Sequence, residues 1–138
     1  MNLARSFFRF FIYSNLFIAL CAVLMVYQTY ELLSYAWPGR AFVLFVFFAT
    51  ICSYSFHWYL TPVEPGTPVS SRSRWLYKNR NVHLVMFFIG LTGAIGSAVF
   101  LVDHWHWLLF SAIITFLYSA PKIPNTYFRA LRKVAIAK

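Results

Sequence analysis

Four apolar runs govern what this chain can become: Phe10–Thr29, Ala41–Leu60, Val82–Val102 and a shorter one over Trp105–Ala120. None contains an Asp, Glu, Lys or Arg. The first three match the ~20 residues an α-helix needs to cross the hydrocarbon core of a bilayer, and a helix satisfies its own backbone hydrogen bonds, as lipid demands. Composition agrees: the chain is 61% hydrophobic and 11% charged, against roughly 25% charged for a soluble domain. The expected fold is all-α, a single polytopic bundle of four transmembrane helices, with a long loop over 61–81 and a basic C-terminal segment over 121–138.

Arg5 and Arg9 ahead of the first run imitate a secretory signal, but the run exceeds the roughly 7–15 apolar residues of a signal core and no small-x-small site closes it. It reads as an uncleaved span. The net charge of +9 would suggest nucleic acid in a soluble protein; here its distribution sets topology instead. Arg5, Arg9, the 61–81 loop (Arg72, Arg74, Lys78, Arg80) and the C-terminal segment (Lys122, Arg129, Arg132, Lys133, Lys138) hold eleven of the twelve cations, and the alternate connections hold only Arg40. The positive-inside rule then puts both termini in the cytoplasm of a cell membrane, in bacterial terms the inner membrane. Trp37, Trp105 and Trp107 fall at the outer interface, where amphipathic rings belong. Cys21 and Cys52, in different spans, behave as small hydrophobes rather than as a disulfide.

The third run carries Gly90, Gly93, Ala94, Gly96 and Ser97, with small residues paired four apart at 90/94 and 93/97. Such spacing lets helix backbones approach closely, or leaves room for a lipid or isoprenoid chain. Polar residues within lipid usually face the bundle interior. Asn15 is one such residue. The end of the second run, ICSYSFHWYLTP, stacks Ser53, His57 and Thr61 on one helical face with Tyr54 beside them. Asn15, Ser53, Tyr54, His57 and Thr61 are therefore the candidate cavity residues, although an interfacial His beside Trp58 and Tyr59 also fits ordinary belt chemistry. Within the basic run, Arg72, Lys78 and Arg80 are candidates for clamping a diphosphate, which suits the planar fork of Arg; they serve equally as topogenic charge. No metal site is expected. The carboxylates Glu31 and Asp103 lie at the outer end, only Glu64 is near the candidate cavity, and His57 with His83 lacks the further ligands zinc requires. The outer Asp103, His104 and His106 read as a solvated hairpin.

The stretch LYSAPKIPNTYFRALRKVAIAK, residues 117–138, resembles the cytosolic connection after the fourth span in the UbiA superfamily of intramembrane prenyltransferases, where a Tyr-Ser-x-Pro turn and a basic stretch lead into a fifth span. The internal N-terminus, the long loop between the second and third spans and the tight outer turn are similar too. The resemblance implies the N-terminal half of that all-helical fold, with Val134–Ala137 opening a fifth span. It also implies prenyl transfer from a polyprenyl diphosphate to an aromatic or quinone-type acceptor, with Mg2+ held by aspartate-rich motifs. Where the first motif, Asn-x-x-x-Asp-x-x-x-Asp, belongs, this chain has Ser53, His57 and Thr61. A truncated or diverged member, inactive alone, is the expectation, partnered by the bilayer, by an isoprenoid diphosphate and by further copies or subunits, and not by nucleic acid. The rival reading is a non-enzymatic four-span membrane protein, an accessory or structural subunit. A small proton-coupled exporter fits less well, since such exporters carry a membrane-embedded glutamate in the first span and Glu31 lies at its outer end.

Overall fold

The computed structural model describes residues 2–60, 74–75 and 78–119, with side chains over 5–60, 74–75 and 78–116. Among the described residues the helices with defined ends are, in order, α1 (Asn2–Tyr13), α2 (Leu16–Leu32), α3 (Arg40–Leu60), α4 (Arg80–Ala98) and α5 (Trp105–Ser119), the last two joined by a 3-10 turn over Val99–His104; residues 74, 75 and 78 are also helical. No strand occurs among the described residues.

The first apolar run is not one straight helix. Ser14 donates its N–H to the Phe10 carbonyl and closes the α1 ladder, while the Asn15 carbonyl accepts from Ala19 and opens that of α2. Between them Asn15 sits left-handed at φ 68°, ψ 5°, a conformation that Asn reaches more readily than other side-chain-bearing residues. The axes of α1 and α2 consequently diverge by 61°. Arg5 and Arg9 fall on one side of α1, and Phe7, Phe10 and Phe11 on the other.

At its far end α2 is closed by Ser34, also left-handed at φ 53°. Ser34 donates to the Glu31 carbonyl and Tyr35 reaches back to that of Tyr30. This is the Schellman arrangement with serine in the place glycine usually takes. Its customary apolar contact is present as an edge-on pair of the Tyr30 and Tyr35 rings, 6.2 Å apart.

Packing centres on α3 against α4, with α2 packed on α3. Ala19, Ile51 and Met86 form the buried apolar core, backed by Leu16, Phe47 and Val82. Gly90 permits the close approach: a Cβ there would stand 2.6 Å from the backbone nitrogen of Cys52 and 2.9 Å from the Phe48 carbonyl oxygen. A Cβ on Gly93 would strike the Phe48 ring, whereas Gly96 meets nothing within 4 Å. The packing role expected of the small residues thus falls to Gly90 and Gly93, and Gly96 takes no part.

The relation of inside to outside is the reverse of a soluble domain. Ser14, Asn15, Ser55, His83 and Ser97 are buried, while Leu24, Met25, Phe88, Ile95, Phe110 and Ile113 are exposed. Exposed apolar surface on this scale marks contact with a membrane or with other protein. Two helical segments, Arg40–Leu60 and Arg80–Phe116, are long and apolar enough to cross a membrane; the bent pair Arg5–Tyr13 with Leu16–Leu32 passes the same test only when its two helices are counted together as one span. The Arg80–Phe116 segment is not straight. Leu101 leaves the helical region at φ −119°, ψ 21°, and Phe87 and Phe116 line one cleft, although a straight helix would set them ~44 Å apart. The chain therefore reverses between α4 and α5.

Candidate functional site

Three features distinguish the end of the bundle at which α1, the C-terminus of α3 and the N-terminus of α4 meet. The first is a buried polar layer. Ser55 lies one turn beyond Ile51 on α3, His83 three residues before Met86 on α4, and Asn15 four before Ala19; because Ile51, Met86 and Ala19 touch, the polar residues occupy the next level of the same interior, ~6 Å away. Other hydroxyls bond their own helix carbonyls: Thr29 to Met25, Thr50 to Val46, Thr92 to Phe88, Ser97 to Gly93 and Thr115 to Ser111. The Ser14 and Ser55 hydroxyls and the Asn15 amide have no hydrogen-bond partner among the described residues, and all three residues are fully buried. Each such group costs about 1–3 kcal/mol. Asn15 thus points inward, as its place in an apolar run implies.

The second feature is a cleft of about 600 Å³ on the opposite face of α3, bounded by α4 and α5. Ile51 and Ser55 face α2, and at ~100° per residue the positions between them turn away. Val46, Ala49, Thr50 and Ser53 line the cleft from α3, Leu91 and Ala94 from α4, and Ala112 and Phe116 from α5. Tyr54 also reaches it. Ser53 and Tyr54 thus belong to this cleft and Asn15 to the interior on the other side. The sequence-derived cavity set is divided between two places. His57 is half-buried and meets Trp58 edge-on, ring centroids 6.2 Å apart. Thr61 lies outside the described residues.

The third feature is basic. Arg9, Tyr13, Arg74, Trp75 and Lys78 enclose a recess of about 290 Å³. Trp75 holds it together: its ring lies 6.4 Å from Phe10, 5.5 Å from Tyr13 and 6.1 Å from His83. Arg80 is engaged elsewhere, donating from Nη2 to the Tyr59 carbonyl at 3.0 Å and stacking 4.5 Å above the Tyr59 ring. Of the residues proposed to clamp a diphosphate, Lys78 joins Arg9 and Arg74, Arg80 caps the end of α3, and Arg72 lies outside the described residues. Sequence reasoning passed over Ser14, Ser55 and Trp75 as site residues and read Arg9 as topogenic only.

Among the described residues, the donor set at this end does not fit Mg2+. Near the end of α3 it offers the Ser53 hydroxyl and the His57 imidazole, whereas magnesium is held through carboxylates. The carboxylates among the described residues, Glu31 at the end of α2 and Asp103 in the 3-10 turn, occupy the opposite end of the bundle. Glu64 lies outside the described residues, as does the basic segment 121–138. No protein-family model matches the chain, and neither a curated protein nor a solved structure matches it.

Proposed function

We propose that this chain is a multi-pass protein of the cell membrane that holds an isoprenoid chain in the cleft between α3, α4 and α5. In this reading it has four membrane-crossing legs and both termini in the cytoplasm, and it is a diverged relative of the intramembrane prenyltransferases that residues 117–138 resemble. The observation that carries the reading is the cleft itself. Its size, about 600 Å³, falls within the ~300–1,000 Å³ typical of small-molecule sites, and its wall is apolar apart from Thr50, Ser53, Tyr54, Ser111 and Thr115. The reversal between α4 and α5 supports four legs, and the gathering of Arg9, Arg74 and Lys78 at one end supports the cytoplasmic side for that end. Without carboxylates at the matching positions, the chain binds an isoprenoid and does not by itself transfer it.

Photolabelling tests this. The full chain, reconstituted in phosphatidylcholine vesicles, is irradiated with a photoreactive analogue of an isoprenoid diphosphate. Label should concentrate in residues 45–56, 87–94 and 111–116, compete with unlabelled isoprenoid diphosphate and fall when Ala49→Trp fills the cleft. Label spread over outward residues such as Leu24 and Met25, indifferent to competitor, would reject the reading and favour a non-enzymatic structural subunit.

A further inference from the structure

The basic recess lies between α1 and residues 74, 75 and 78 and shares no lining residue with the proposed isoprenoid cleft. Arg9, Arg74 and Lys78 converge on about 290 Å³, and all three are exposed. An anion between gathered like charges eases their repulsion, and the carboxylates among the described residues are at the other end of the bundle. Tyr13 and Trp75 complete the wall with rings of the kind that settle at headgroup depth. The helix that supplies Arg9 and Tyr13 is amphipathic, turns 61° away from α2 and exposes Phe7, Phe8 and Phe10; such helices lie in the membrane interface with their apolar face among the acyl chains.

We propose that this recess binds the phosphate of an anionic phospholipid. Arg9 and Arg74 present guanidinium forks suited to phosphate oxygens, Lys78 adds a compact charge, and Tyr13 lines the same recess. A lipid is favoured over a soluble phosphate because the exposed phenylalanines of α1 supply a surface for the acyl chains of the same molecule. Trp75, packed on Phe10, Tyr13 and His83, positions α1 over the recess.

Native mass spectrometry of the full chain in detergent, with added phosphatidylglycerol, phosphatidylcholine or inorganic pyrophosphate, provides the test. Phosphatidylglycerol should be retained in preference to phosphatidylcholine, and retention should fall about fivefold for each of Arg9→Gln, Arg74→Gln and Lys78→Gln, the equivalent of ~1 kcal/mol per charge at an anionic surface. Arg40→Gln, at the other end, should change nothing. Arg9→Lys with Arg74→Lys keeps the topogenic charge and should weaken retention less than the Gln pair, which guards against misfolding as the cause. Displacement of the lipid by pyrophosphate at equal phosphate concentration would overturn the lipid assignment. Equal retention of the two lipids, or retention unchanged in the triple Gln variant, would overturn the site.

Discussion

Replacing Gly90 by Ala is the sharpest test of how α3 and α4 meet. The new methyl would lie 2.6 Å from the Cys52 nitrogen, 2.9 Å from its Cα and 2.9 Å from the Phe48 oxygen, where carbon contacts settle near ~3.5–4 Å. All three obstacles are backbone atoms, so no rotamer change relieves the clash and the helices must part by roughly 1 Å, a gap that by itself forfeits about a quarter to a half of each dispersion contact along the seam. Overpacking of this kind costs about 1–3 kcal/mol, against ~1 kcal/mol gained from the better helix propensity of Ala. Gly96→Ala collects the same propensity gain with nothing in the way. Unfolding of each variant in mixed detergent–SDS micelles, followed by tryptophan fluorescence, should therefore place Gly90→Ala about 1–3 kcal/mol below Gly96→Ala. Gly93→Ala should fall between them, because its obstacle is the Phe48 side chain, and Phe48→Leu should rescue Gly93→Ala without rescuing Gly90→Ala. Equal stability of the Gly90 and Gly96 variants would refute the backbone contact.

Three further outcomes follow from particular contacts. Asn15→Gly should be more stable than Asn15→Ala by ~1–2 kcal/mol in the same titration, since both delete the unbonded amide and only Gly is at ease at φ 68°. Trp75→Ala should release α1 while leaving the α3–α4 pair intact, seen as faster amide exchange over residues 5–13 with exchange over 82–97 unchanged. Arg80→Gln combined with Tyr59→Leu in a double-mutant cycle should return a coupling of about 0.5–1 kcal/mol, the range of an exposed cation–π contact; a coupling of zero would show that the stacking contributes nothing.

Hydropathy and small-residue spacing made the all-helical membrane character and the α3–α4 seam legible, because both are properties of long windows. The break at Ser14–Asn15 was not, since the apolar average runs through it and a single left-handed residue leaves no compositional trace. Asn15 could be read as inward-facing, but Ser55 could not be told from Ser53: two residues apart on α3, they differ only in which neighbour each faces, and that depends on where α2 packs. The basic recess was hidden for another reason. Arg9 and Tyr13 are remote in sequence from Arg74, Trp75 and Lys78, and only Trp75, by stacking on α1, brings them together.

The bend at Asn15 also bears on the thickness of the surrounding membrane. By diverting α1, it leaves α2 with 17 residues beside the 21 of α3, heights of ~26 Å and ~32 Å against a hydrocarbon core of about 30 Å. Two adjacent legs differing by ~6 Å cannot both match a flat bilayer. The lipid beside α2 thins, or the bundle tilts, at a cost of fractions of a kcal/mol per Å. If α2 and α3 both cross, the exposed phenylalanines of α1 at this short edge would meet the thinned lipid, and the protein should settle preferentially in the thinner regions of its membrane.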